Sequence, residues 1–309
     1  MINMNNKTNN DVKFKSGFVS IVGRPNVGKS TLMNTLIGEK IAIMSDKPQT
    51  TRNQIRAIYN SDEIQIVFMD TPGIQKPKNK LGSYMMKASS SSMKDTDIIL
   101  FVVDESKRIG ATDKEIIENL KNNTSKKILV INKIDKINKE ELMDLINMYS
   151  EIGIFDEIVP VSAIKGENSN TLIKVLSKYL EEGPQYFPKD MITDQPEKVL
   201  VSEIIREKIL MYTDQEIPHG IAVEIEQMKK RKDKDIIDVS ALIYCEREAH
   251  KKIIIGHQGR KIKGIGKSAR EELEFIFGNK VFLELWVKAK PNWRDKENFI
   301  RTMGFDDSK

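Results

Sequence analysis

Short runs of consecutive apolar, mostly β-branched residues recur through the amino-terminal part of the chain: FVSIVG (18–23), IQIVFMD (64–70), DIILFVVD (97–104), KKILVIN (126–132) and DEIVPVS (156–162). A strand that is apolar at successive positions buries both of its faces. The intervening DKEIIENLKN and KEELMDLINMYSEI instead place apolar residues at helical spacing. Together they predict a mostly parallel sheet covered by helices on both sides, a doubly wound α/β domain. The longest apolar run, 98–103, has six residues, where a membrane-spanning helix needs about 18 to 20.

The pattern breaks at GPQYFPKDMITDQP (183–196), whose three prolines and one glycine read as a linker. Beyond it, 197–212 is expected to be helical, IAVEIEQMKK and DIIDVSALIYCE alternate like the strands of a hairpin, and KVFLELWVKAK supplies a further strand. REAHKKIIIGHQGRKIKGIGKSAREELEFIFG, between them, reads as two helices interrupted by glycines. The order α-β-β-α-α-β describes a small α+β unit. Trp286, in the last strand, is expected in the core, and Trp293 is expected to pack the C-terminal helix or to stack a base. The expected division is a disordered arm at 1–15, an α/β domain at 16–181, a linker at 182–196 and the α+β unit at 197–309.

The 309 residues are 39% hydrophobic and 31% charged, which excludes a disordered or collagen-like chain. Cys245 is the single cysteine and can make neither an internal disulfide nor a zinc site, which suits the cytoplasm. The polar, Asn-rich N-terminus lacks the apolar segment of a signal peptide. The net charge of +5 is unevenly spread: 219–294 carries 17 basic against 11 acidic residues, and 250–270 carries seven basic residues and no acidic one. Such a run is either a solvated face or a phosphate-binding surface.

Directly after the first expected strand comes Gly23-Arg24-Pro25-Asn26-Val27-Gly28-Lys29-Ser30, followed by Thr31 and a helical pattern. This is the P-loop arrangement, in which glycines let backbone N–H groups wrap a phosphate chain at a helix N-terminus. Lys29 is expected to reach the β- and γ-phosphates and Ser30 to ligate Mg²⁺. Asp70-Thr71-Pro72-Gly73 ends a later strand, where the carboxylate can hold Mg²⁺ through water and the Gly73 N–H can sense a γ-phosphate. Asn132-Lys133-Ile134-Asp135 selects the base. A carboxylate at Asp135 accepts two hydrogen bonds from guanine N1–H and N2–H₂, whereas adenine offers no such pair of donors. Lys133 would cover the base with its stem, Asn132 would brace the loop, and Ser162-Ala163-Ile164-Lys165 can present a backbone N–H to guanine O6.

These four pieces in this order resemble the translation-factor-like GTPases. The segment Pro48-Gln49-Thr50-Thr51-Arg52, followed by the second unit, narrows the resemblance to the Era family, from about Gly17 onward. The resemblance implies a P-loop GTPase domain followed by a type II KH domain, with GTP or GDP and Mg²⁺ as cofactors. It assigns Thr51, with Thr50 as the alternative, to Mg²⁺, and makes Asn26 a K⁺ ligand as in potassium-activated members of the class. Where Ras-like enzymes carry a water-orienting glutamine, this chain has Ile74, so slow intrinsic turnover, stimulated by RNA or K⁺, is expected. Gly256-His257-Gln258-Gly259 supplies the G-x-x-G turn of a KH domain, which clamps about four single-stranded nucleotides. Lys251, Lys252, Arg260, Lys261 and Lys263 are then placed for phosphates, and the isoleucines of the two helices for a groove wall or the core.

The resemblance further implies the 3′ end of 16S rRNA on the maturing 30S subunit as partner, a peripheral association with the inner face of the cell membrane, and a monomer. Two other readings use the same residues. One is an RNA-binding adaptor with a nucleotide-sensing, barely catalytic G domain; the other is a membrane-associated signalling GTPase whose KH unit binds protein.

Overall fold

The computed structural model describes residues 14–305 except 46, 48–49, 75–76, 95 and 214–219. Positions 1–13 of the expected arm, and Pro48 and Gln49, lie outside the described residues. The apolar runs become β1 (Lys15–Val22), β3 (Ile64–Asp70), β4 (Ile98–Val103), β5 (Lys126–Ile131) and β6 (Glu157–Pro160). With β2 (Ile55–Asn60) they form a six-stranded sheet ordered β2-β3-β1-β4-β5-β6, parallel except for the β2–β3 pair. Every position of β3 and β4 is buried, as two-sided burial requires.

On one face, Leu32, Met33 and Leu36 of α1 (Lys29–Ile37) and Leu172, Ile173 and Leu176 of α5 (Ser169–Tyr179) pack against Val19, Ile21, Ile66 and Leu100. On the other, Ile116, Ile117 and Leu120 of α3 (Ala111–Lys121) and Leu145 and Tyr149 of α4 (Lys139–Ser150) pack against Val22, Ile99, Phe101 and Leu129. A further helix, α2 (Lys80–Ser92), follows the Asp70–Gly73 loop.

The Pro-rich segment has no helix or strand of its own, yet it is fastened along β2. Ile58 N donates to Ile192 O at 2.8 Å, the Gln65 side-chain oxygen accepts the Tyr186 and Phe187 amides, and Arg56 pairs with Asp194. Prolines remove regular structure, not contacts, and here the segment covers an exposed sheet edge.

The C-terminal unit has the expected order: α6 (Glu197–Tyr212), β7 (Ala222–Lys230), β8 (Ile236–Cys245), α7 (Glu248–Ile255), α8 (Arg260–Phe277) and β9 (Lys280–Ala289). Its sheet runs β7-β8-β9, with β8 antiparallel to β7 and parallel to β9. One face of the sheet packs at one end, through Leu242, Tyr244 and Ala222, with Leu81 and Met85 of α2 and with the chain after β9, while α6, α7 and α8 cover the other face. Ile237, Val239, Ala241 and Ile243 point into that core with Ile204, Ile205, Ile254, Ile265 and Leu273.

Trp286 corrects the sequence expectation: it is 61% exposed, not core. It shares the outward face of edge strand β9 with Phe282, because side chains alternate along the strand and α6, α7 and α8 pack on the opposite face. Trp293 is fully buried and donates from Nε1 to Gly220 O at 2.8 Å. It packs edge-on to Phe299 of the terminal helix α9 (Glu297–Thr302), the packing role expected of it.

Candidate functional site

The loop between β1 and α1 folds as it does because Gly28, the N-cap of α1, sits at φ 95. A Cβ there would meet the Asn132 side-chain nitrogen at 2.3 Å, so only glycine fits. No side chain caps α1, which leaves its first amides directed at the space in front of the loop. Lys29 is buried and donates from Nζ to the carbonyls of Gly23 (3.1 Å) and Arg24 (3.0 Å). Burial lowers its pKa from 10.5 to about 8, against the opposing pull of Asp70.

Ser30 Oγ, Thr51 Oγ1 and Asp70 converge. Ser30 donates to Asp70 Oδ2 at 2.6 Å, Thr51 to the same oxygen at 3.3 Å, and the two hydroxyls are 2.8 Å apart. Asp70 Oδ1 is buried with no hydrogen-bond partner among the described residues. Burial pushes the Asp70 carboxyl above its ordinary range despite Lys29 and the two hydroxyls. An all-oxygen donor set with an orphaned buried carboxylate oxygen fits Mg²⁺. Thr50 does not join it, since its hydroxyl turns back to Lys47 O at 2.6 Å.

Pro25, Asn26, Gly28, Lys29, Ser30, Thr31, Thr51 and Gly73 line one cavity of about 60 Å³ together with Ile43, Met44, Ser45 and Thr50. Gly73 sits so close to the loop that a Cβ would fall 2.9 Å from the Pro25 backbone. Thr71 anchors the segment by donating to Ile21 O at 2.8 Å, and Pro72 O accepts from Ser89 at 2.7 Å. Ile74 turns away into the hydrophobic cluster around Val22 and Val103. Among the expected loop residues, Val27 is a core residue. Arg24 contributes only backbone to the cradle, because its guanidinium is held by Asp104, Ser106 and Asp113.

Asn132 is the fastener between loops. Its Nδ2 donates to Val27 O at 2.9 Å, and its Oδ1 accepts the Lys133 amide (2.8 Å) and the Ala163 amide (3.0 Å). Of the Ser162–Lys165 amides offered to a base, Ala163 thus serves Asn132 and Ser162 donates to Glu167 O. Lys133, at φ 66, lays its Nζ on Asn26 O at 2.8 Å. The Ser162 hydroxyl donates to Asp135 Oδ1 at 2.6 Å and holds that carboxyl below its usual range, hence charged at neutral pH.

In the second unit Gly256 and Gly259, both at φ 72, turn the chain from α7 into α8, with His257 and Gln258 exposed at the tip. Lys252, Arg260 and Lys263 are exposed around the turn and Lys251 and Lys261 half-buried. α8 starts without a side-chain cap and without an acidic residue in its first turn. A groove of about 370 Å³ runs between α8 and β9, lined by Ile262, Lys263, Gly266, Lys267, Arg270, Val281, Phe282, Leu283 and Leu285. Ile254 and Ile265 belong to the core instead. The sequence reading missed Lys267 and the β9 side of this groove. The available signal was KVFLELWVKAK itself, whose apolar residues occupy both alternating faces although α6, α7 and α8 pack against only one of them.

The two units meet at the segment that carries Thr51. The Arg52 guanidinium is buried against Ile221 O and lies 5.8 Å from the Trp293 ring centre, while Arg206 of α6 donates to Thr50 O. Lys40 pairs with Glu207 and Glu272, and Met44 N donates to Glu207 at 2.8 Å. On the other side, Leu81 and Met85 of α2 pack with Tyr244, Trp293, Phe299 and Ile300.

Residues 18–133 match the family model described as 50S ribosome-binding GTPase, and residues 216–294 match the KH domain model. GTPase Era of Clostridioides difficile (strain 630) is 64% identical over 295 residues, 95% of this chain and 99% of that protein. A solved structure of Era in complex with MgGDPNP and nucleotides 1506–1542 of 16S ribosomal RNA superposes with a TM-score of 0.91 at 44% identity, covering 94% of this chain and 99% of that one. A variant of Aquifex aeolicus Era bound to GDP.AlF4- matches equally well, with a TM-score of 0.91 and 44% identity over the same shares. The two family models in this order, with a relative this similar along nearly its full length, establish that the chain belongs to the Era family of GTPases.

Proposed function

We propose that the chain hydrolyses GTP to GDP and phosphate in the unit at 16–181 and, through the KH unit at 197–309, grips the single-stranded 3′ end of 16S rRNA during assembly of the 30S subunit. The observation that carries the reading is the convergence of Ser30, Thr51 and Asp70 beside Lys29, tied by Asn132 to a base wall ending in Asp135. The solved Era complex with MgGDPNP and 16S rRNA supports both ligands at once. No helix among the described residues is long and apolar enough to cross a membrane, and the reading places the chain in the cytoplasm.

In this account water attacks the γ-phosphorus and the bond to the β–γ bridging oxygen breaks. Lys29 and the amides of 23–31 surround the spreading negative charge, and the Gly73 N–H contacts the γ-phosphate. Ser30, Thr51 and Asp70 would hold Mg²⁺, which would supply positive charge to neutralise the phosphate oxygens. No side chain at Ile74 orients the water, so the intrinsic rate is slow. We assign Asn26, which lines the cradle at φ 65, as a residue that would hold a K⁺, which would supply positive charge beside the phosphates. Multiple-turnover phosphate release is expected to be faster in KCl than in NaCl and to rise further with cognate RNA. Equal rates in the two salts contradict the Asn26 assignment; no turnover in either, with or without RNA, contradicts the enzyme.

Lys29 also sets a pH dependence. Phosphate restores its proton affinity, while the free protein begins to lose that proton near pH 8. Binding above that point takes up a proton, so affinity falls as pH rises and is flat below it. GDP is expected to bind about fourfold more weakly at pH 8.5 than at pH 7. Calorimetry in buffers of different ionisation enthalpy measures the uptake, and pH-independent affinity contradicts it.

The GTP form is the one expected to hold RNA more tightly. Thr51 faces the cradle while its neighbours Thr50 and Arg52 are held by Arg206 and the Ile221 carbonyl, so reordering of this segment by a γ-phosphate moves residues the KH unit grips.

A further inference from the structure

Between the two units lies a cavity of about 730 Å³, within the size range that admits an organic molecule. Ile41 and Ile55 of the GTPase unit, Ile192 of the Pro-rich segment, Leu200 of α6, and Phe275 and Ile276 of α8 give it an apolar wall. It shares no lining residue with the phosphate cradle or with the groove between α8 and β9. Phe275 is the anomaly on this wall. α8 turns Ile265, Ala269 and Leu273 into the core, and a residue two positions past Leu273 points about 200° away from it. Phe275 is thus left 87% exposed, a large aromatic ring in water beside an apolar cavity.

The charges on the wall decide which molecule fits. Glu39, Glu203 and Glu272 line the cavity against a single cation, Lys40, among the described residues. Lys40 is already engaged by Glu207 and Glu272. Arg206 serves Glu203, and Lys208 serves Glu207 and Glu272, yet with all of these counted the surroundings stay negative. Glu39 is exposed and has no ion pair among the described residues. Such a site repels an anion and attracts a cation, and its apolar wall asks for more than a bare ion.

We propose that the cavity binds an organic cation, an ammonium group on an apolar body, with the body seated among the isoleucines and Phe275 and the charge beside Glu39. Because the wall comes from both units and the segment between them, the ligand touches all three at once, at a site apart from the nucleotide and the RNA groove.

Dansylcadaverine, a primary ammonium on a fluorophore that brightens in apolar surroundings, is the probe. It is titrated into the full chain saturated with GDP, so that the nucleotide cradle is filled. Emission is expected to rise and shift to the blue with a dissociation constant of about 10 to 100 µM. Dansyl-6-aminohexanoate, the same fluorophore ending in a carboxylate, should bind at least about tenfold more weakly. Val199→Trp, which fills the cavity from α6, is expected to weaken dansylcadaverine by more than about tenfold, and Glu39→Lys by roughly 5- to 20-fold. Unchanged GDP affinity shows that the variants are folded; should Val199→Trp lose GDP as well, the exposed Glu39→Lys decides. Wild-type affinity for the probe in folded variants overturns the proposal, as does the absence of any emission change at millimolar probe. Equal or tighter binding of the carboxylate overturns it too, and places the fluorophore in the lysine-lined groove of the KH unit.

Discussion

Asp135→Asn is expected to weaken GTP by about two to four orders of magnitude and to make xanthosine triphosphate the better ligand. The Asp135 carboxylate, kept ionised by the Ser162 hydroxyl, can accept from guanine N1–H and N2–H₂ together. Two hydrogen bonds to a charged acceptor are worth about 3 to 6 kcal/mol in sum, and the amide also turns a donor toward the guanine amino group. Xanthine replaces that amino group with an oxygen, which the asparagine N–H₂ can serve while its oxygen still accepts from N1–H. Competition between the two triphosphates for the variant measures the switch. Undiminished GTP preference would place the base elsewhere than beside Asn132–Asp135.

Lys29→Ala is expected to cost about 10²- to 10³-fold in kcat, the usual loss when one preorganised donor to a developing charge is removed. The effect is more than electrostatic. Lys29 Nζ also ties the carbonyls of Gly23 and Arg24 together, so its loss loosens the loop that aims the amides. Lys29→Arg does not rescue, because a planar guanidinium cannot occupy the enclosed space of an ammonium group beside Asp70. Single-turnover hydrolysis under saturating GTP separates this loss from weaker binding, and kcat within tenfold of wild type would remove Lys29 from the reaction.

The nucleotide site was legible because its chemistry is local. The residues of 23–31, 70–73, 132–135 and 162–163 each follow a strand, and strand order brings them to one edge. What stayed hidden depends on partners far apart in the chain. β2 escaped notice because Arg56 and Asn60 interrupt its apolar pattern, and it forms as the antiparallel edge that the segment after Glu182 covers. Arg24 looks like a phosphate ligand until Asp104 and Asp113, some 80 to 90 positions away, claim its guanidinium. The junction at Lys40, Thr50 and Arg52 with Arg206, Glu207 and Ile221 spans more than 150 positions and follows no period. Trp286 was misplaced because alternation tells which residues share a face, not which face the helices cover.

That junction makes the claim of coupling physical: one segment carries Thr51 in the cradle and is gripped on both sides of it by the KH unit. Isothermal calorimetry of an oligoribonucleotide with the sequence of the 16S rRNA 3′ end, with the protein saturated by MgGDPNP or by MgGDP, tests it most directly. Tighter binding in the GDPNP form, by about 5- to 150-fold, is predicted from coupling energies typical of linked sites. The same affinity with either nucleotide would contradict it.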